Sequence, residues 1–419
     1  MNKYVKVLFM LCAVLLCAGF IKADVSAAVI PITPEYFPEE WMRDALLKPE
    51  YDLNSDGILS EEENEKIWIL VYDASSGKTV TSMKGMEHLS TLEHVWLENI
   101  KGDEVRIDTG KLAYLHFDNP QIGELKVSGD KLKQMEIYNG GSINKVNVRN
   151  CAELTSLKCN YDRIGEGVPM TAAYNLQVSN CPKLLSIWYE GCGLGQMKLR
   201  NCPNITAVGV PFNRMTSLKI KSKKLAGLFC QNNMLTELDI TQYKNLENLN
   251  CNNNKIKKLD FSNCKKLEEI RCMNNKLKEV ELPKLEAEFP VFTFTGNKIK
   301  HVKLSDINIL GYTIGEMGLA ADLDEQEVYN SFARNKIKTV DISSAVKIED
   351  NIRLHVKRFF SGNYVKRLES IYSYRYAYGD EDLKNRPIKK IIISKKLRQK
   401  DRKWIEKLGT KYEVKVVVR

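Results

Sequence analysis

Three consecutive stretches of this chain are nearly the same sentence: LAGLFCQNNMLTELD from Leu225, LENLNCNNNKIKKLD from Leu246 and LEEIRCMNNKLKEV from Leu267. The copies start 21 residues apart, and a fixed period that short dictates an architecture. One copy holds a single half-apolar edge and cannot bury it alone. Copies must therefore stack, each covering the next, into a solenoid. Such a body is a surface for holding partners far more often than a catalyst.

The array extends on both sides of the triplet. Leu92, Leu112, Leu132, Leu154 and Ile205 mark earlier starts, and a copy near Leu184 is displaced by an insertion around residues 165–174. Each start leads into alternating residues, as in Leu115-His-Phe117, Met135-Glu-Ile137 and Ile187-Trp-Tyr189, the pattern of a half-buried strand. A further copy follows at Phe292–Ile299, an acidic interruption comes next, and a degenerate copy returns at Phe332–Ile342. Asn233, Asn254, Asn275, Asn297 and Asn335 share one position, with Cys192 in that place in the displaced copy. An inward amide there answers backbone groups that the turning chain would strand, so it is read as structural.

Cysteine follows the same logic. Cys230, Cys251 and Cys272 stand where other copies have Phe117, Ile137, Val210 or Phe294, while Cys151, Cys181, Cys202 and Cys264 each follow an asparagine. A residue that exchanges with phenylalanine and valine is a small core hydrophobe. Two buried thiol columns are expected, and no CxxC or Cys/His spacing suggests a metal.

The two ends differ from the array. Residues 1–28 read as a signal peptide: Lys3 and Lys6, an apolar run from Val7 to Ile21, then small residues before the mature start. Residues 29–88 form an amino-terminal cap. Within it a short helix over Phe37–Leu47 precedes a loop with the ligand order of an EF-hand: Asp52, Asn54 and Asp56, then Gly57 for the turn, the Ile58 carbonyl, Ser60 and Glu63. Hard oxygens in that order suit a structural calcium ion. Residues 89–345 are the repeats, and residues 346–419 a basic carboxyl portion with 21 Lys or Arg against 9 Asp or Glu from Lys347 onward. There Pro387–Ile393 and Tyr412–Val418 read as strands around a helix, Leu397–Leu408, stopped by Gly409: a β-α-β closing cap or small appendix.

These motifs resemble a family. Phe37-Pro-Glu-Glu-Trp41, the Asp-x-Asn-x-Asp-Gly loop, Met83-Lys-Gly85-Met86-Glu87 and the LxxLxCxxN copies are similar to exported bacterial leucine-rich repeat proteins of Firmicutes type. The resemblance implies an α/β-type solenoid, a right-handed superhelix with a parallel sheet on its concave face and an irregular or short-helical convex side. It implies a binding role at the cell surface or in the medium, and no enzyme.

The residues agree on that class. The five histidines form no metal pair, and no GxSxG or GxxxxGK sequence occurs. Outward strand positions supply the candidate ligand-binding set, Trp96, His116, Tyr138, Trp188, Phe229 and Arg271. Exposed aromatics on a rigid concave sheet suit a protein or glycan partner. The alternative is a wall-associated scaffold whose basic end holds anionic cell-wall polymer. Nucleic acid is disfavoured because no nucleic-acid motif accompanies the charge, and no segment after residue 28 is long and apolar enough to span a membrane.

Overall fold

The computed structural model describes residues 29–77, 79–80, 82–140, 143–160, 174–287, 290–306, 332, 335–348, 350, 353 and 388–419. Residues 1–28, expected to be a signal peptide, all of 354–387, and most of the insertion and of the acidic interruption lie outside them.

Alternation in each copy becomes a strand, and the strands stack in parallel. Eleven form one front sheet running from Ile69–Asp73 through His94–Glu98, Tyr114–Asp118, Gln134–Tyr138, Ser156–Asn160 and Ser186–Glu190 to Val291–Thr293. Register is fixed residue for residue, so that Leu97 pairs with Phe117, then Ile137, Cys159 and Tyr189. All five are buried, forming one apolar ridge along the solenoid axis.

Where an irregular or short-helical convex side is expected, that side is irregular in part and a sheet in part. Among the described residues between 89 and 306 the repeats contain no helical turn. Lys101–Asp108, Gln121–Ser128, Lys145–Arg149, Tyr174–Ser179 and Leu194–Arg200 form a second parallel sheet opposite the front one. The cause is visible in β-branched pairs two residues apart, Val105/Ile107 and Val146/Val148, whose shared face is buried. Around Met215–Phe261 the back is irregular, and at Glu279–Leu282 a third parallel sheet begins.

That third sheet ends in the carboxyl cap. Thr339–Ile342 pairs with Lys390–Ile393, which pairs with Lys415–Val418, all in parallel. The crossover helix runs Gln399–Tyr412, three residues past the stop expected at Gly409. Its end is Glu413, in the left-handed region at φ 55°. Gly409 serves close packing instead, because a Cβ there would lie 2.6 Å from Val416 and 2.8 Å from the Val414 carbonyl.

Two amide ladders and the thiols hold the copies in step. Asn213, Asn233, Asn254, Asn275, Asn297 and Asn335 are buried, each donating to carbonyls of its own and the previous turn. Asn213 belongs to this column although its copy was too irregular to show it. A second set at the strand ends, including Asn99, Asn119, Asn253 and Asn274, sits at φ 53–56° or, for Asn119, 49°. Asparagine tolerates that region, and these side chains bond to one another at 2.8 Å from Asn119 to Asn99 and from Asn274 to Asn253. All nine cysteines of the described residues are buried and free. Cys251 and Cys272 lie 3.2 Å apart at sulfur, and burial pushes the Cys230 thiol well up.

Candidate functional site

Strand alternation places two kinds of side chain on the front sheet. Inward residues form the ridge; outward residues form three rows across the strands. The middle row reads Trp96, His116, Glu136, Lys158, Trp188, Gly209, Phe229, Asn250 and Arg271. Five of the six sequence-predicted residues therefore share one row. Tyr138 stands in the adjacent row, in register with Asp118 and Asn160.

The first group is an aromatic stack. The Trp96 ring lies 5.2 Å from His116 and 5.8 Å from Tyr138, within 18° and 6° of parallel. His94 stacks on Tyr114 at 4.2 Å and meets Trp68 edge-on at 5.3 Å. His94, Tyr114 and Trp68 were not among the predicted residues. His94 and Tyr114 hold the first outward position of strands whose second outward position was selected, so the same alternation could have found them.

Rings this close cover polar atoms. His116 is only 5 % exposed, and neither ring nitrogen makes a hydrogen bond; the Trp96 Nε1 and Asn160 Oδ1 atoms are likewise buried without a partner. Beside them Glu136 accepts from the Tyr138 hydroxyl and from Lys158 Nζ at 3.1 Å. His116 Nδ1 stands 3.6 Å from its Oε2, too long for a hydrogen bond. His116, then Tyr138 and Lys158, bring the Glu136 carboxyl down to about 2 against the opposing effect of burial. Burial, then the neighbouring His116, lowers His94 from the ordinary histidine range.

The second group depends on an absent side chain. Trp188 donates Nε1–H to Glu190 at 3.0 Å, and its ring lies over Gly209, 5.7 Å from Phe229. A Cβ on Gly209 would fall 2.2–2.6 Å from the indole. The signal was a glycine in a strand interior, which marks close approach. Arg271 is not part of either group; it pairs with Glu269 of its own strand.

The loop in the amino-terminal cap closes on itself. Asp52, 1 % exposed, accepts from the amides of Asp56 at 3.2 Å and Gly57 at 2.9 Å. Asn54 and Asp56 each accept from an amide two residues on. Gly57 takes φ 76°, as the tight turn demands. Glu63 accepts from Leu53 N, Ser60 N and Ser60 Oγ at 2.7–2.8 Å and, with Ser60, makes a capping box on helix Glu61–Lys66. The donor types fit a hard cation. Their arrangement does not yet do so: among the described residues no three His, Cys, Asp or Glu side chains gather as a metal-holding cluster. Ile58 and Leu59 instead pair antiparallel with Pro31 and Ile30.

With the ladder of parallel copies and the outward rows established, the chain can be placed among known proteins. Residues 244–284 match the leucine rich repeat family over two copies. No curated protein matches the sequence. Among solved structures, an internalin from Listeria monocytogenes is 17 % identical, with 75 % of this chain and 92 % of that one covered and a TM-score of 0.31. A Listeria monocytogenes internalin-like protein is 18 % identical over 67 % and 72 %, at a TM-score of 0.35. A leucine-rich repeat protein of Leptospira interrogans is 13 % identical over 84 % and 90 %, at 0.32. No described helix is long and apolar enough to cross a membrane.

Proposed function

We propose that this is an exported, non-catalytic recognition protein whose concave sheet binds a protein or glycan ligand along the middle row. The observation that supports this reading is the pair of aromatic groups on that row with buried, unpartnered polar atoms beneath the first. Leaving such atoms unpaired costs about 1–3 kcal/mol each, a cost that a ligand supplying hydrogen bonds would remove. Four strand steps separate Trp96 from Trp188, roughly 19 Å at ordinary strand spacing, which suits an elongated ligand. On peptide and glycan arrays, the mature chain should give hits whose affinity falls at least tenfold in the triple variant Trp96→Ala, Tyr138→Ala, Trp188→Ala. Gly209→Val, which drives the indole aside, should weaken the same hits. Hits that ignore both variants would place recognition elsewhere. The basic end offers a second reading, attachment to anionic wall polymer, motivated by its excess of 12 positive charges, 21 less 9.

Calcium at the amino-terminal loop is proposed as a structural ion, supported by the ligand order Asp52, Asn54, Asp56, Ile58, Ser60 and Glu63. Binding would require Glu63 to turn from its cap, which costs about 1 kcal/mol. Millimolar calcium should raise the melting temperature by several degrees over magnesium or chelator in the native chain, and by nothing in Glu63→Gln. Equal melting in calcium and chelator would remove the ion from the account.

A further inference from the structure

The concave face is acidic in a basic protein. On the six front strands from Ile69–Asp73 to Ser186–Glu190, the outward positions hold Asp73, Glu98, Asp118, Glu136 and Glu190 against the single cation Lys158. The whole chain nets +10 and the carboxyl portion alone +12, so residues 1–346 net −2, near neutrality, and composition does not impose five carboxylates against one cation here. These carboxylates flank the aromatic stack: Glu98 and Asp118 share strands with Trp96 and His116, and Glu136 shares one with Tyr138.

Charge alone would describe a solvated face. The stack adds an independent observation, the His116 imidazole, 5 % exposed and making no hydrogen bond through either nitrogen. A neutral imidazole has one nitrogen that accepts. At the ends of neighbouring front strands, Asn160 Oδ1 and Asn139 Oδ1 are also buried acceptors without partners. The unanswered oxygens are acceptors, beside carboxylates, under flat rings, while Trp96 Nε1 is an unanswered donor. A planar cation with many N–H donors answers all three conditions. Guanidinium carries five donors and no acceptor, is weakly hydrated, and stacks on aromatic faces. Ammonium has three donors and a tightly held hydration shell, so it answers them less well. A neutral sugar could stack on the rings but would leave the carboxylates unneutralised.

We infer that the amino-terminal half of the concave face recognises an extended, arginine-bearing segment of a partner protein. The inference rests on the concave-face reading above and narrows it to one ligand chemistry. One guanidinium would lie against Trp96 and Tyr138 with its N–H groups towards Glu136 and His116. The chain would continue across the strands towards Trp188 and Glu190. At about 3.3 Å per extended residue, the roughly 19 Å between the two tryptophans corresponds to about six residues. Attraction of this kind weakens as salt shortens the reach of charge, while the stacking contribution persists.

The test uses the mature chain and four fluorescein-labelled octapeptides of identical Gly-Ser background carrying three Arg, three Lys, three Glu or no charge. Affinity is read by polarisation at about 25 and 300 mM salt, values bracketing the physiological Debye length of about 8 Å. The Arg peptide is expected to bind at least tenfold tighter than the Lys peptide, to lose at least tenfold at the higher salt, and to leave the Glu and neutral peptides unbound. Glu98→Gln with Glu136→Gln should abolish the preference, with circular dichroism confirming the fold; the salt series needs no variant. Equal binding of Arg and Glu peptides, or salt-independent binding, overturns the cation assignment. So do neutral glycan hits that are lost in the Trp96, Tyr138 and Trp188 triple variant, although these leave the concave-face reading standing. Arg-peptide binding unchanged by that triple variant sinks both.

Discussion

Asn254→Ala is expected to lower the unfolding midpoint further than any surface change in the array, by about 3–5 kcal/mol of stability. The amide donates to the carbonyls of Cys230 at 2.9 Å, Cys251 at 3.1 Å and Asn252 at 3.3 Å, and accepts from Leu235 N at 2.9 Å. Truncation strands those backbone groups in a place water does not reach, at about 1–3 kcal/mol for each group left unpaired. Relaxation of the turn recovers part of the sum, which is why the total stays below the product. Urea denaturation followed by circular dichroism measures it. The informative control is one residue away. Asn253, at φ 56°, bonds only along its own ladder, donating to Asn232 at 2.9 Å and accepting from Asn274 at 2.8 Å. Asn253→Gly keeps the backbone relaxed and loses a half-exposed amide contact, so its cost should stay below about 1 kcal/mol. Equal losses at the two positions would mean that the buried column does not hold the turns.

That contrast marks what the sequence could and could not convey. The Asn254 column was legible because every regular copy repeats it at one position, and burial of a polar residue in register with leucines has few explanations. Asn213 escaped because its copy lacks the following pattern, yet it accepts from Leu194 N and donates to the Tyr189 carbonyl like the others. The convex strands were legible in principle: Val105/Ile107, Leu125/Val127 and Leu176/Val178 alternate as plainly as the front strands do. Expectation of an irregular or short-helical back hid them. The candidate site was half legible. Period-two alternation says which way Trp96, His116 and Trp188 point, whereas contact between rings on different strands depends on register between copies. Only the paired strands show that Trp188 lies over Gly209 or that Tyr138 leans to Trp96. The loop posed the opposite problem, since ligand order gives donor chemistry but not whether Glu63 faces a cation or caps its helix.

Asp401→Ala is expected to loosen the carboxyl cap by about 2–4 kcal/mol, and with it the seal on the last copies. Asp401 sits in the first turn of helix Gln399–Tyr412 with 0 % exposure. Its carboxylate accepts from Ile348 N at 3.0 Å, Arg398 Nε at 2.8 Å and Arg353 Nη2 at 2.6 Å. Removing one partner of a buried charge pair costs about 3–5 kcal/mol when the pair is wholly enclosed. The lower figure applies here because the Arg398 side chain is 40 % exposed and keeps its water. Burial alone would raise this carboxyl, but Arg398, the Ile348 amide and Arg353 hold it below the ordinary aspartate range. A depressed folded value makes the contribution complete above the unfolded aspartate pKa of about 4 and lost as pH falls through the lower folded one. Native protein should therefore lose stability on acidification below about pH 4 more steeply than Asp401→Asn, which keeps the shape and one acceptor. Differential scanning calorimetry between neutral and acid pH reads both effects, and parallel pH profiles would contradict them. The same network bears on attachment. Arg353 also pairs with Asp350 at 2.7 Å and lies 4.7 Å over the Trp404 ring, so two guanidinium groups of the basic end are already committed to holding the cap. Among the described residues, exposed lysines of that helix and its approach, such as Lys396, Lys400, Lys403 and Lys407, remain open to an anionic polymer, and their replacement should weaken polymer retention while leaving the calorimetric profile in place.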